Sequence, residues 1–170
     1  MSITRTTLDM PVRIGRRLAA HPLKTGGAVL AADLLSKSAA STLPLKAQYC
    51  LASSSICVQH LQNENGTFGA HYEWGMTSKL LMAGSVLSMA AIFVKAKSQI
   101  NKLALALAIG GSASNLFERF AWGHVTDFIR CGPWYVFNLA DASLTASCLL
   151  IVYEAVAGLK RNMRRDPSSS

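Results

Sequence analysis

Residues 103–128 read LALALAIGGSASNLFERFAWGHVTDF, a stretch in which an apolar run ends in a cluster of polar and ionisable side chains. The apolar part, Leu103 to Leu116, extends at its ends to roughly the ~20 residues that a helix needs to cross hydrocarbon. Asn115, Glu118, Arg119 and Asp127 follow at its end, with Trp122 between them. Ionisable groups near a bilayer are costly, so each is a functional candidate whose partner must be found. Tryptophan prefers the headgroup level, which places this cluster at a membrane boundary.

Two further apolar segments, Leu80 to Val94 and Phe137 to Leu159, match the first in kind. The seventeen basic residues fall mainly in three clusters. These are Arg13, Arg16, Arg17 and Lys24; Lys95, Lys97 and Lys102; and Lys160, Arg161, Arg164 and Arg165. All lie outside the apolar runs, where positive residues mark cytoplasmic loops. With the loop 95–102 and the tail inside, the loop 121–136 and the residues before Leu80 are outside. The basic N-terminus also belongs inside, so the chain must cross once more before Leu45. Ala28 to Ala40 is the core of that crossing, despite Asp33 and Lys37.

The expected fold is therefore an all-α polytopic membrane protein with four transmembrane helices and a small extracytoplasmic β-containing segment. Residues 1–24 form a cytoplasmic basic N-terminus, 25–160 the four-helix domain, and 161–170 a disordered cytoplasmic tail. The spans cover about 25–43, 77–94, 103–120 and 137–158. The β-containing segment, about 44–76, includes the β-prone SSSICVQHLQ at 53–62, followed by a turn-forming Asn-Glu-Asn-Gly. Trp74, Trp122, Trp134, Tyr49, Tyr72 and Tyr135 all fall beside expected outer ends.

Composition agrees: 51% of the residues are hydrophobic and only 15% charged, which argues against a water-soluble domain. The net charge of +8 raises nucleic acid as a partner. Its distribution outside the apolar runs, with no basic aromatic groove, favours membrane topology instead. Met1 to Leu23 lacks the apolar core and cleavage site of a secretory signal peptide, so the N-terminus is expected to remain attached. No internal repeat points to an inverted-symmetry transporter. Cys50, Cys57, Cys131 and Cys148 show no metal or redox spacing. The first three fall outside, where a disulfide is allowed, and buried free thiols are the expected state of all four. No histidine spacing argues for a metal, and no cofactor is expected.

The polar residues converge at the outer boundary. Asn115 and Arg119 are four apart on one helix, and Asn138 and Asp141 three apart on another, so each pair lines one face. If those helices pack as neighbours, Asp127 and Asp141 meet there. Two desolvated carboxylates side by side share one proton, which suits peptide hydrolysis without metal or covalent nucleophile. Taken singly, Asp141 could cap a helix and Asp127 could pair with Arg130. Asp33 and Lys37, four apart, favour a structural ion pair over substrate contact.

GGSASNLFERFAWGHVTDF followed by FNLADAS resembles the two signature blocks of lipoprotein signal peptidase, also called signal peptidase II. AADLLSKSA and NENGTFG extend the resemblance, in family order, across Asp33 to Ser143. The resemblance implies an aspartic endopeptidase of the bacterial cytoplasmic membrane, with its active site near the extracytoplasmic face. Such an enzyme removes signal peptides from diacylglyceryl-modified prolipoproteins, cutting before the lipidated cysteine. It further implies Asp127 and Asp141 as the catalytic pair, with Asn115, Arg119, Asn138, Asn63, Asp33 and Lys37 binding substrate or supporting the site. Expected partners are prolipoproteins and membrane lipids, with no nucleic acid, around a monomer. Glu118 stands where the family usually has aspartate, and residues 63–69 depart from its usual Asn-x-Gly-Ala-Ala-Phe. Two other readings fit the same residues: a small proton- or ion-coupled carrier, and a catalytically silent relative that binds lipoproteins without cutting them.

Overall fold

The three apolar runs and the additional crossing before Leu45 each form a helix. In the computed structural model, residues 17–50, 55–64, 76–133 and 135–165 are described. Arg13, Arg16, Tyr72, Trp74, Trp134, His71, the loop residues Asn65 to Gly69 and the tail from Asp166 lie outside them. The helices are α1 (Pro22–Ala40), α2 (Met76–Lys95), α3 (Gln99–Ala121) and α4 (Leu139–Arg165). Pro22 opens α1, where its fixed φ suits the first turn, and Ser98 starts α3 by accepting the Asn101 N–H on its side chain. The helix α3 ends at Ala121, where Trp122 N–H bonds Glu118 O at 2.7 Å and Gly123 takes φ 79°.

The last helix runs five residues beyond the expected 160, so residues 161–165 are helix where a disordered tail was expected. Basic residues suit a helix C-terminus, and Arg161 reaches Glu154 at 3.3 Å across two turns.

Between the helices lies a four-stranded antiparallel sheet, ordered β1 (Gln48–Cys50), β2 (Ile56–Asn63), β3 (Val125–Cys131) and β4 (Tyr135–Phe137). The expected β-prone segment supplies only half of it. The connection 121–136, expected as a loop, contributes β3 and most of β4, and Asp127 therefore stands on a strand. The sequence VTDFIRC is short and shows no apolar–polar alternation, so it is easily read as loop. Pairing with β2 stabilises it, from Ile56 opposite Cys131 to Asn63 opposite Val125, with a bulge between Val58 and Leu61.

The cysteine expectation is corrected. Cys50 and Cys57 face each other across β1 and β2 and form a disulfide, while Cys131 and Cys148 are free and exposed. Free thiols at directly opposed cross-strand positions lie within bonding reach, and strand register is a long-range property that spacing does not reveal.

The helix α3 is central and packs against the other three. Small residues allow this. A Cβ on Gly26 of α1 would meet the Ala106 carbonyl oxygen at 2.5 Å, and one on Gly111 would meet the Ala140 carbonyl oxygen at 2.8 Å. The backbones of α1 and α4 thus sit directly on α3, the small-residue contact typical of helices packed in lipid.

Burial is inverted relative to a water-soluble domain. The largest fully buried side chains are Lys37, Glu118, Asn138, Thr126, Asp33, Ser114 and Ser147. Leu80, Leu81, Leu87 and Val94 on α2, and Leu149, Val152 and Leu159 on α4, are exposed. So much apolar surface outside and so much charge inside is stable where hydrocarbon is the solvent. Among the described residues, α2 and α4 are long and apolar enough to cross a membrane by length and composition. The helices α1 and α3 carry the buried ionic groups Asp33, Lys37, Glu118 and Arg119.

Candidate active site

Strand β4 runs directly into α4, and the junction is a capping box. The Asn138 side-chain oxygen accepts the Asp141 N–H at 2.9 Å, and Asp141 Oδ2 accepts the Asn138 N–H at 3.4 Å. Asp141 is thus the cap that its position suggested, and more. The cap fixes the Asn138 amide: with its oxygen held by the helix, Nδ2 must point outward, and it donates to Asp127 Oδ1 at 2.8 Å. One side chain therefore ties both aspartates together.

Each carboxylate receives further amide donors. Asn63 Nδ2 donates to Asp127 Oδ2 at 3.0 Å, and Asn115 Nδ2 donates to Asp141 Oδ1 at 3.1 Å. Asn63, expected in a turn, is the last residue of β2. Arg119 is buried, donates to Asn63 O at 3.4 Å, and lies within electrostatic range of Asp127, Asp141 and Glu118. Arg130, the alternative partner of Asp127, is turned away and donates to Gly132 O at 2.9 Å and Pro133 O at 3.0 Å.

Beneath this pair lies a buried ionic cluster. Lys37 Nζ reaches Asp33 Oδ2 at 2.8 Å, Glu118 Oε2 at 3.0 Å and Asn115 Oδ1 at 2.6 Å, which uses all three ammonium donors. Asp33 also accepts from Ser114 Oγ at 2.6 Å and from the Ala140 N–H at 2.9 Å, placing an anion at the N-terminus of α4. Asp33 and Lys37 are fully engaged with protein groups, in line with a supporting ion pair. Ser114 was not among the residues singled out from the sequence. Its spacing of four from Glu118, one turn along the same face, is the signal available for it.

All eight residues expected at the site come together. Burial pushes the Asp127 carboxyl up to about 6; the Asn63 and Asn138 amides oppose the rise, and Asp141 adds to it. A carboxyl with this value exchanges its proton in mild acid, the range in which a general acid or base is effective near neutral pH. Among the described residues no group of His, Cys, Asp and Glu could hold a metal ion.

The family model described as signal peptidase (SPase) II matches residues 26–157, which contain every one of these groups. The chain belongs to the signal peptidase II family. It is similar to the lipoprotein signal peptidase of Dehalococcoides mccartyi, 34% identical over 56% of this chain and 65% of that one. The Rhodococcus jostii protein of the same name is 30% identical over 88% of this chain and 78% of its own length. The Syntrophomonas wolfei one is 29% identical over 80% and 93%. The chain thus spans just under two thirds of the Dehalococcoides relative. Two bacterial membrane enzymes solved by the in meso method share the fold. Their TM-scores are 0.72 and 0.68, at 22% and 23% identity, covering 85% and 76% of this chain and 91% and 88% of theirs.

Proposed function

We propose that the chain is a membrane-embedded aspartic endopeptidase that removes signal peptides from diacylglyceryl-modified prolipoproteins, cutting before the lipidated cysteine. The observation that carries this reading is the Asn138 bridge: one amide, oriented by the α4 cap, accepts the Asp141 N–H and donates to the Asp127 carboxylate, linking the two aspartates of separate elements. Asp127 and Asp141 share one proton. The ionised member takes a proton from water, and the resulting hydroxide attacks the scissile carbonyl as the protonated member donates a hydrogen bond to its oxygen. Proton transfer to the nitrogen then releases the new amine, and the pair returns to its starting state. Asn115, Asn138, Asn63 and Arg119 hold the carboxylates in place, and Asp33 and Lys37 support them from below.

All four helices cross the cytoplasmic membrane in this reading, with both termini inside and the sheet outside. The helices α1 and α3 tolerate hydrocarbon because Asp33, Lys37, Glu118 and Arg119 are buried against one another rather than toward lipid. The Cys50–Cys57 disulfide supports an outward sheet, since such bonds persist in oxidising surroundings. A membrane-impermeant maleimide added to intact spheroplasts should label Cys131, at the exposed end of β3, and leave Cys148, within the membrane-spanning part of α4, unlabelled. Labelling of Cys131 only after lysis would invert the topology.

The activity is tested by incubating the purified protein in lipid vesicles with a diacylglyceryl-modified prolipoprotein and following the loss of the signal peptide on a gel. Asp127-dependent ion flux without cleavage would favour the carrier reading instead.

A further inference from the structure

Strand β4 pairs with β3 only from Ile129 to Cys131, so β3 has no neighbouring strand on that side at Thr126. The backbone edge left without a strand there is occupied by side chains. The Thr126 N–H donates to Glu118 Oε2 at 2.9 Å, and the Thr126 carbonyl accepts from Asn138 Nδ2 at 3.4 Å. Thr126 and Glu118 are both buried, and Thr126 immediately precedes Asp127. A backbone N–H buried without a partner would be costly, so the Glu118 contact determines where this part of β3 can lie.

The same Glu118 oxygen lies on Lys37 Nζ, and Lys37 also contacts Asn115 Oδ1. An ammonium has donors and no acceptor, so the Asn115 amide must turn its oxygen to Lys37 and its NH₂ to Asp141. Two arms thus leave one buried cation. One runs through Glu118 and the Thr126 backbone to Asp127, the other through Asn115 to Asp141.

We propose that Glu118 is a positioning residue for Asp127: its carboxylate takes the place of a missing strand beside Thr126 and sets the distance between Asp127 and the Lys37-anchored Asp141. This rests on the peptidase reading of the site. Glu118 is buried and bonds the Thr126 backbone, so its effect on the reaction passes through strand position.

Two substitutions separate positioning from plain structural support. Glu118→Gln keeps the arm length and an oxygen acceptor for the Thr126 N–H, while removing the charge that faces Lys37. Glu118→Asp keeps the charge and shortens the arm by one methylene, so one carboxylate can no longer reach both Lys37 and Thr126 without moving β3. Positioning therefore predicts opposite orders for turnover and stability. Per folded molecule, with a lipidated prolipoprotein in vesicles, Glu118→Asp should lower kcat by roughly 10- to 100-fold at unchanged KM, the scale of an ångström-sized misplacement. Glu118→Gln should hold kcat within about threefold of wild type while losing more thermal stability than Glu118→Asp, because a buried ammonium has lost one of its two anions.

If kcat instead follows stability, with the Asp variant equal to or better than the Gln variant, Glu118 only supports the fold and the proposal is wrong. Should Glu118→Gln not accumulate, Glu118→Asp decides alone: a fall in kcat at constant KM upholds positioning, and unchanged kcat overturns it. Wild-type turnover in the same assay keeps the two readings apart. A wild type that does not cleave removes the peptidase reading and this one with it, whereas an active wild type beside an unimpaired Asp variant removes this one alone.

Discussion

Replacement of either Asp127 or Asp141 by asparagine is expected to abolish prolipoprotein cleavage, a loss of about 10⁴-fold or more in turnover, while the protein still inserts and folds. Asparagine matches aspartate in shape but cannot accept the proton from water or return one to the leaving amine. A single general acid or base contributes about 10²- to 10⁴-fold, and here each residue serves in both halves of the reaction. The effects of the two substitutions should not add, because either one alone leaves a single carboxyl with no partner to share a proton. Retained folding is expected because Asn63, Asn115 and Asn138 surround the pair with amides that can pair with another amide after reorientation. The measurement is the gel shift of a lipidated prolipoprotein, with expression level and thermal midpoint in detergent as the folding controls. Normal cleavage by either variant would remove that residue from the catalytic pair.

Lys37→Met should be the most destabilising single substitution in the chain. The ammonium lies between Asp33 and Glu118, with both carboxylates and the cation itself almost wholly excluded from solvent. Methionine fills similar space but leaves two buried anions with no counter-charge. Breaking a buried pair by removing one partner costs about 3–5 kcal/mol, and here one cation serves two anions. The Asn115 amide would also lose the contact that determines its orientation, so any surviving protein should cleave poorly. The triple variant Asp33→Asn, Lys37→Met, Glu118→Gln removes the charges together and should recover part of the lost stability, as measured by the detergent thermal midpoint. Wild-type stability in Lys37→Met would mean that the cluster is not the keystone its burial suggests.

Much of this arrangement was legible from the residues. Three apolar runs marked their helices to within a few residues at most ends, and the placing of the basic clusters required a fourth at Ala28 to Ala40, because the length of an apolar run and its flanking charges are local properties. Asn115 with Arg119, and Asn138 with Asp141, share helix faces by spacing alone, and both pairs line the site. The strand that carries Asp127 was not legible. Residues 125–131 are too short to declare themselves, and their pairing with residues 56–63 is a contact between segments more than sixty residues apart in the chain. The Cys50–Cys57 bond escaped for the same reason: spacing says nothing of register. Glu118 drew notice as one of the boundary ionisable groups and as a departure from the family pattern, but its grip on the Thr126 backbone exists only once β3 lies beside α3.

By itself the sequence determined the helices, their charge asymmetry and the residue types that could perform acid–base chemistry, since each depends on neighbours a few positions away. Tertiary structure alone decided which atoms face each other. The Asn138 amide is oriented by a helix cap, the Asn115 amide by a lysine 78 residues earlier, and the start of α4 by an aspartate 107 residues away. Hydrogen-bond direction is a property of pairs, and these pairs form only when separate helices close on one another in a medium that offers their polar groups no water.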